Sequence, residues 1–182
     1  MCGIFSVINN NHTFSFLQNE FNKGKHRGPE HSSLSIVSIN TIFGFHRLAI
    51  NGLDNISNQP IHINNIVLIC NGEIYNYKEL YKLMNIVPTT NSDCEVIIHL
   101  YLKYGIQQTL NMLDGVFAFV LCDNNISISE ENPAAMSTNT IYIARDPYGV
   151  RPLYKLESKT TAISMFASEL KVLSGFFNEI DR

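Results

Sequence analysis

The chain turns apolar at its second residue. From Cys2 to Ile8 it reads Cys-Gly-Ile-Phe-Ser-Val-Ile, hydrophobic on both alternating faces, which is the pattern of a strand buried on both sides. Termini ordinarily fray at the surface, so a chain whose second residue already belongs to a buried strand holds its first amino group in a sheltered place. The 182 residues are 45% hydrophobic and 16% charged. A soluble globular chain of that length buries about 70% of its unfolded surface, and the composition fits neither disorder nor a membrane-spanning class. The net charge of −3, with 13 basic against 16 acidic residues and no basic run, removes the long-range attraction that a nucleic acid or an anionic membrane requires.

Apolar spacing at Phe14, Leu17 and Phe21 predicts a helix ending at His26-Arg27-Gly28-Pro29. Strands are expected at 34–39, 42–50 and 66–70, then a short helix at 77–84 and a longer one at 92–104. The longer helix is opened by Ser92-x-x-Glu95, a capping box. A third helical segment at 107–112 precedes strands at 116–122, 140–144, 153–156 and 162–166, and a final helix at 168–173. Residues 127–139, polar and carrying Pro133, read as a surface loop. Strands and helices fall in separate runs, which argues for an α+β layered fold in one domain.

Cys2 carries the first chemical signal. Removal of Met1 leaves a thiol and a free α-amine on one residue, and an α-amine with a pKa of about 7.7–8.0 accepts a proton near neutrality. The alternative is a small core cysteine, a common role for the residue. Asn71-Gly72 breaks the apolar run 66–70. It reads either as a tight hairpin turn or, because no second strand matches, as a side-chain amide and a backbone N–H set at a strand end to hold a developing oxyanion. Arg47, inside the apolar stretch 43–50, ends in a structural ion pair or grips a carboxylate through its planar fork. Asp93 complements a helix dipole or accepts bonds from an ammonium group. Asp146 reads as turn chemistry. The cysteines at 2, 70, 94 and 122 form no disulfide framework and no zinc spacing, and the six histidines show no ligand spacing, so no metal site is expected. With no basic n-region or long apolar stretch at the start, the expected setting is a reducing cytoplasm.

Nine motifs occur in order: Met1-Cys2-Gly3-Ile4, His26-Arg27-Gly28-Pro29-Glu30, His46-Arg47-Leu48-Ala49-Ile50, Gln59-Pro60, Asn71-Gly72-Glu73-Ile74-Tyr75-Asn76, Ser92-Asp93-Cys94-Glu95, Leu113-Asp114-Gly115-Val116-Phe117, Ala144-Arg145-Asp146-Pro147-Tyr148-Gly149 and Phe166-Ala167-Ser168-Glu169. Together they resemble the glutamine-hydrolysing domain of class II glutamine amidotransferases over the whole chain, and within them the glutamine-dependent asparagine synthetases. The resemblance implies a four-layer α/β/β/α sandwich of the N-terminal nucleophile type, with two stacked antiparallel sheets. It implies Cys2 as nucleophile and Asn71 and Gly72 as oxyanion donors. Arg47 would hold the carboxylate of L-glutamine, Asp93 and Glu73 its ammonium, and backbone groups of Leu48, Ala49, Ile50 and Asn51 would complete the site.

Two stretches depart from that family: 76–92 is shorter than expected and 127–139 is a polar insertion. The Ser-Gly-Gly-x-Asp-Ser phosphate loop of the family's synthetase domain does not occur in the 182 residues. The expectation is therefore a glutaminase domain at 1–182 that needs no cofactor, with ATP and Mg²⁺ belonging to a synthetase domain fused or associated at its C-terminal end. A different acceptor enzyme, a non-catalytic glutamine-docking module and a homodimer stay open.

Overall fold

The computed structural model describes residues 1–124, 139–158 and 161–179. The N-terminal run forms β1 (Gly3–Ile8), the middle strand of a five-stranded antiparallel sheet. It pairs on one side with β3 (Thr41–Arg47) and on the other with β9 (Ser164–Ala167), while β2 (His31–Ser38) and β8 (Tyr154–Glu157) form the edges. A second antiparallel sheet takes its strands in chain order, β4 (Ile61–Ile63), β5 (Ile66–Ile74), β6 (Gly115–Asp123) and β7 (Thr140–Arg145).

Strand alternation sorts the apolar residues into three cores. Ile4, Phe43 and Phe45 face Val67, Ile69, Ala118 and Val120 in the space between the sheets. Phe5, Val7 and Met165, on the opposite face of the first sheet, pack on Leu17 and Phe21 of helix α1 (Phe14–Asn22) and on Leu173 and Phe176 of the 3₁₀ helix Leu170–Glu179. Leu68, Phe119 and Leu121, on the outer face of the second sheet, pack on Leu80 and Met84 of α2 (Tyr77–Met84) and on Ile97 and Leu100 of α3 (Val96–Met112). The layer order is therefore α/β/β/α, as the sequence reading expects. Both faces of β1 are covered because it lies between two cores, and that is why its sequence is a continuous apolar run.

Local chemistry accounts for the helix boundaries. The Thr13 hydroxyl accepts from Phe16 N–H and opens α1. Gly105, at φ 74° and ψ 170°, interrupts α3, so the two helical segments expected on either side of it are the two halves of one broken helix. The capping box is only half formed. The Ser92 hydroxyl accepts from Cys94 N–H at 3.3 Å, residues Asp93–Glu95 make a 3₁₀ turn, and the Glu95 carboxylate faces away from Ser92.

Other expectations are corrected. No turn forms at Asn71-Gly72: β5 runs through both to Ile74, paired with β6 along its length. A strand at Ile61–Ile63 was missed, although Ile-His-Ile followed by Asn64-Asn65, with Asn64 at φ 52°, carries alternation and a turn pair. The strand expected to reach Ile50 stops at Arg47. The final helix is a 3₁₀ helix that starts later and ends later than expected. The polar stretch 127–139 lies outside the described residues apart from Asn139. Among the described residues no helix is long and apolar enough to cross a membrane.

Candidate active site

At one end of the sandwich the space between the sheets stops being apolar. Cys2 continues the inward alternation of Ile4, Arg47 that of Phe43 and Phe45, and Asn71 and Glu73 that of Val67 and Ile69. Side chains from two facing sheets thus open onto one cleft, which Cys2, Arg47, Asn71, Glu73, Asp93 and Arg151 all line.

The Cys2 thiol lies 3.4 Å from both the N–H and the carbonyl oxygen of Leu48. Burial pushes the thiol above the usual thiol range, against the hydrogen bond from Leu48, the N-terminal ammonium and the Arg47 charge. The backbone of Cys2 is fixed by Arg27, whose Nε donates to the Cys2 carbonyl at 2.8 Å and whose Nη1 reaches Glu169 at 3.2 Å. The sequence reading used Arg27 as part of a helix stop and of a family motif, and gave it no role at Cys2.

Strand parity explains the Asn71-Gly72 pair. Phe117, opposite Gly72 on β6, spends its N–H on the Asp146 carboxylate and its carbonyl on Asp146 N–H, both on its far side. Gly72 therefore belongs to a non-hydrogen-bonded pair and turns its N–H and C=O away from β6. Its neighbours on the same outward edge are already held. Cys70 N–H and C=O bond the Gln59 side chain at 2.6 and 3.1 Å, and Ile74 N–H donates to Asp93 at 2.6 Å. Gly72 N–H thus faces the cleft from an open strand edge, not from the strand end that was expected. Gln59, read from sequence as loop punctuation and as part of a family motif, acts here as a surrogate strand. The Asn71 side chain, 2% exposed, has an amide nitrogen with no hydrogen-bond partner. Leaving a buried donor unpaired costs about 1–3 kcal/mol.

Among the described residues Arg47 makes no ion pair. Its guanidinium donates to the carbonyls of Asp54 at 2.8 Å and Gly52 and to the Asn58 side chain at 2.5 Å, all neutral acceptors. The Asp93 carboxylate, 4% exposed, accepts from Ile74 N–H and from the Asn51 amide at 3.4 Å, and burial together with nearby Glu73 pushes it above the usual carboxylate range. The cleft therefore holds an unneutralised cation and a buried carboxylate with only neutral donors. Arg151, which sequence reasoning missed, lines the same cleft with a buried Nε lacking a partner.

The turn that carries Asp93 is anchored from behind. Glu95, fully buried, accepts from Thr89 and Thr90 N–H at 2.8 and 2.6 Å and contacts His99 at 2.9 Å. Burial alone would raise its carboxyl, but these bonds outweigh it and hold the pKa at about 2 against an ordinary 4.5. A depressed native pKa stabilises the fold fully above the unfolded value and loses that stabilisation as pH falls toward the native one. Glu95→Gln is therefore expected to lower stability by about 2 kcal/mol at neutral pH. The gap between variant and wild type should narrow as pH falls from 4.5 toward about 2, read by urea denaturation across that range.

Residues 1–182 match the family described as Glutamine amidotransferase domain. The chain belongs to that family. Relatives of this amidotransferase domain include the asparagine synthetases (glutamine-hydrolyzing) of Gallus gallus, 40% identical over 162 residues, and Mesocricetus auratus, 40% over 161. That of Homo sapiens is 39% identical over 161 residues. These alignments cover 85–86% of the chain and 26% of each relative, so the chain spans about a quarter of the length of the curated relatives it matches.

In this amidotransferase domain the cleft gathers nine of the ten expected site residues: Cys2, Arg47, Leu48, Ile50, Asn51, Asn71, Gly72, Glu73 and Asp93. Ala49 is outside it, and its N–H is taken by the Glu30 carboxylate. The Leu48 backbone is engaged with the Cys2 sulfur, leaving Ile50 and Asn51 as the part of that segment that faces the cleft freely.

Proposed function

We propose that the domain hydrolyses the side-chain amide of L-glutamine. One observation carries the reading: a sheltered Cys2 thiol shares a cleft with a buried Asn71 amide nitrogen that has no hydrogen-bond partner among the described residues. With Met1 removed, the α-amine of Cys2 takes the thiol proton, through a water, and the sulfur attacks the amide carbon. The resulting oxyanion accepts from the Asn71 amide and Gly72 N–H, donors fixed in place before the charge develops. Collapse expels ammonia, which leaves with the proton the amine had taken, and a thioester remains. Water then cleaves the thioester to glutamate and restores the thiol.

Arg47 and Asp93 hold the two charged ends of the amino acid. The guanidinium has no counter-ion among the described residues, so a substrate carboxylate supplies one, and the buried Asp93 carboxylate gains an ammonium partner. Glu73 adds a second acceptor on the same inner face. This half-reaction uses no metal or organic cofactor. The relatives' names support an asparagine synthetase activity as the destination for the ammonia. We assign that activity, dependent on ATP and Mg²⁺, to a domain fused or associated at the C-terminal end, in a cytoplasm that keeps the thiols reduced.

Ammonia release from L-glutamine, with intact mass recorded on the same sample, tests the reading. Turnover by a chain that begins at Cys2 is the expected result. Glutamine bound without turnover, on a chain of that mass, would favour a docking module instead.

A further inference from the structure

The loop that follows Arg47 contains a carboxylate, Asp54, that does not pair with it. Arg47 uses the Asp54 carbonyl, while the Asp54 carboxylate turns outward. One of its oxygens accepts from Ser57 N–H at 3.0 Å and Ser57 O–H at 2.7 Å; the other accepts from the side-chain amide of Asn91. Asn91 N–H in turn donates to the Ser57 hydroxyl at 3.1 Å, closing a ring of three residues across two loops. These bonds, from Ser57 and then Asn91, hold the Asp54 carboxyl below the usual carboxylate range.

The ring is linked to the groups assigned to both ends of the substrate, to Arg47 through the Asp54 carbonyl and to Asp93 through the chain that carries Asn91. Asn91 lies two residues before Asp93, and Asn51, at the other end of the Arg47 loop, bonds Asp93 directly. Contact between the loops is tight at Gly52, at φ 61°: a Cβ there would lie 2.3 Å from the Ser57 hydroxyl oxygen and 2.8 Å from the Asn91 backbone. Glu95 anchors the second loop through Thr89 and Thr90. The two loops are thus tied by the Asp54–Asn91 side-chain bond, the Asn91 N–H bond to Ser57 and the Asn51 bond to Asp93, and the first of these is the one a side-chain change at Asp54 or Asn91 removes.

We propose that Asp54, latched to Asn91, is a positioning residue that sets the spacing between Arg47 and Asp93 and so selects a free α-amino acid. The proposal rests on the glutamine reading.

Binding to the Cys2→Ala chain, measured by calorimetry, tests it without turnover. Asp54→Ala is expected to weaken L-glutamine about fivefold to tenfold, the scale of one ordinary hydrogen bond's net contribution. It should leave the α-amide of glutamine, which offers Arg47 no carboxylate, within about twofold. Asn91→Ala should do the same, and the double variant should add little, because both remove one contact. Unchanged glutamine binding in both single variants, or equal weakening of glutamine and its α-amide, would overturn the latch. If the intact chain releases no ammonia yet these binding shifts appear, the latch stands and the hydrolytic reading fails. If ammonia is released and the shifts are missing, the reverse holds, and a chain that binds no glutamine sinks both.

Discussion

Cys2→Ala is expected to lower ammonia release from L-glutamine by about 10⁴-fold or more, the scale on which removing the nucleophile of a covalent mechanism acts. The fold should hardly notice. Cys2 stands just before β1 at the rim of the core between the sheets, the hydrogen bonds of its thiol are the long 3.4 Å ones to Leu48, and the pairing of Gly3 with His46 does not involve the sulfur. Glutamine binding should survive as well, because Arg47 and Asp93 are untouched. A chain that keeps Met1 separates two roles of the first residue. It retains the thiol, which burial holds above the usual range, but moves the amine one residue away, so it too should turn over poorly. Rates and intact masses for three samples decide the matter: the processed wild type, the Met1-bearing wild type and Cys2→Ala. Full activity with Met1 retained would dismiss the α-amine as base, and measurable turnover by Cys2→Ala would dismiss the thioester.

The layers were legible because they rest on periodicity, a local property. The run 2–8 declared a strand covered on both sides, and β1 lies between two cores. Phe14, Leu17 and Phe21 declared α1, and the break between the two halves of α3 falls at Gly105. Much of the site was legible by the same rule carried a step further, since Cys2, Arg47, Asn71 and Glu73 all fall on the inward parity of their strands.

Illegible from sequence were the features decided by partners far along the chain. Asn71-Gly72 carries the strongest local hairpin signal, yet β6 pairs straight through it, and the edge it would have folded over is occupied by Gln59 and Asp93. Ser92-x-x-Glu95 matches a capping box, but Glu95 gains more from two N–H groups of an adjacent loop and from His99 than it would from the helix start. Arg151 and Arg27 are each more than twenty residues from the cysteine they serve or face; nothing in its own segment marks Arg151, and the motif that holds Arg27 does not say what the side chain reaches.

Asn71→Ala is expected to cost activity without costing stability, and the contrast distinguishes a catalytic amide from a structural one. Loss of one oxyanion donor typically lowers kcat by about 10²–10³, and KM should move little because the ground-state amide gains less from the donor than the oxyanion does. Gly72 N–H remains on the strand edge, so residual hydrolysis above background should persist. A structural asparagine would behave otherwise: its removal would break bonds and lower the melting temperature. Here the amide nitrogen is buried and bonds nothing, so truncation relieves a desolvation penalty that offsets the lost packing, and stability should stay within about 1 kcal/mol of wild type or rise. Thermal denaturation beside steady-state kinetics on one preparation reads both quantities. A large drop in stability with a proportionate loss of rate would mean that Asn71 holds the β5 edge together. A large drop in kcat at unchanged stability would mean that the fold carries an unpaired donor in its interior because the transition state, and not the protein, is its partner.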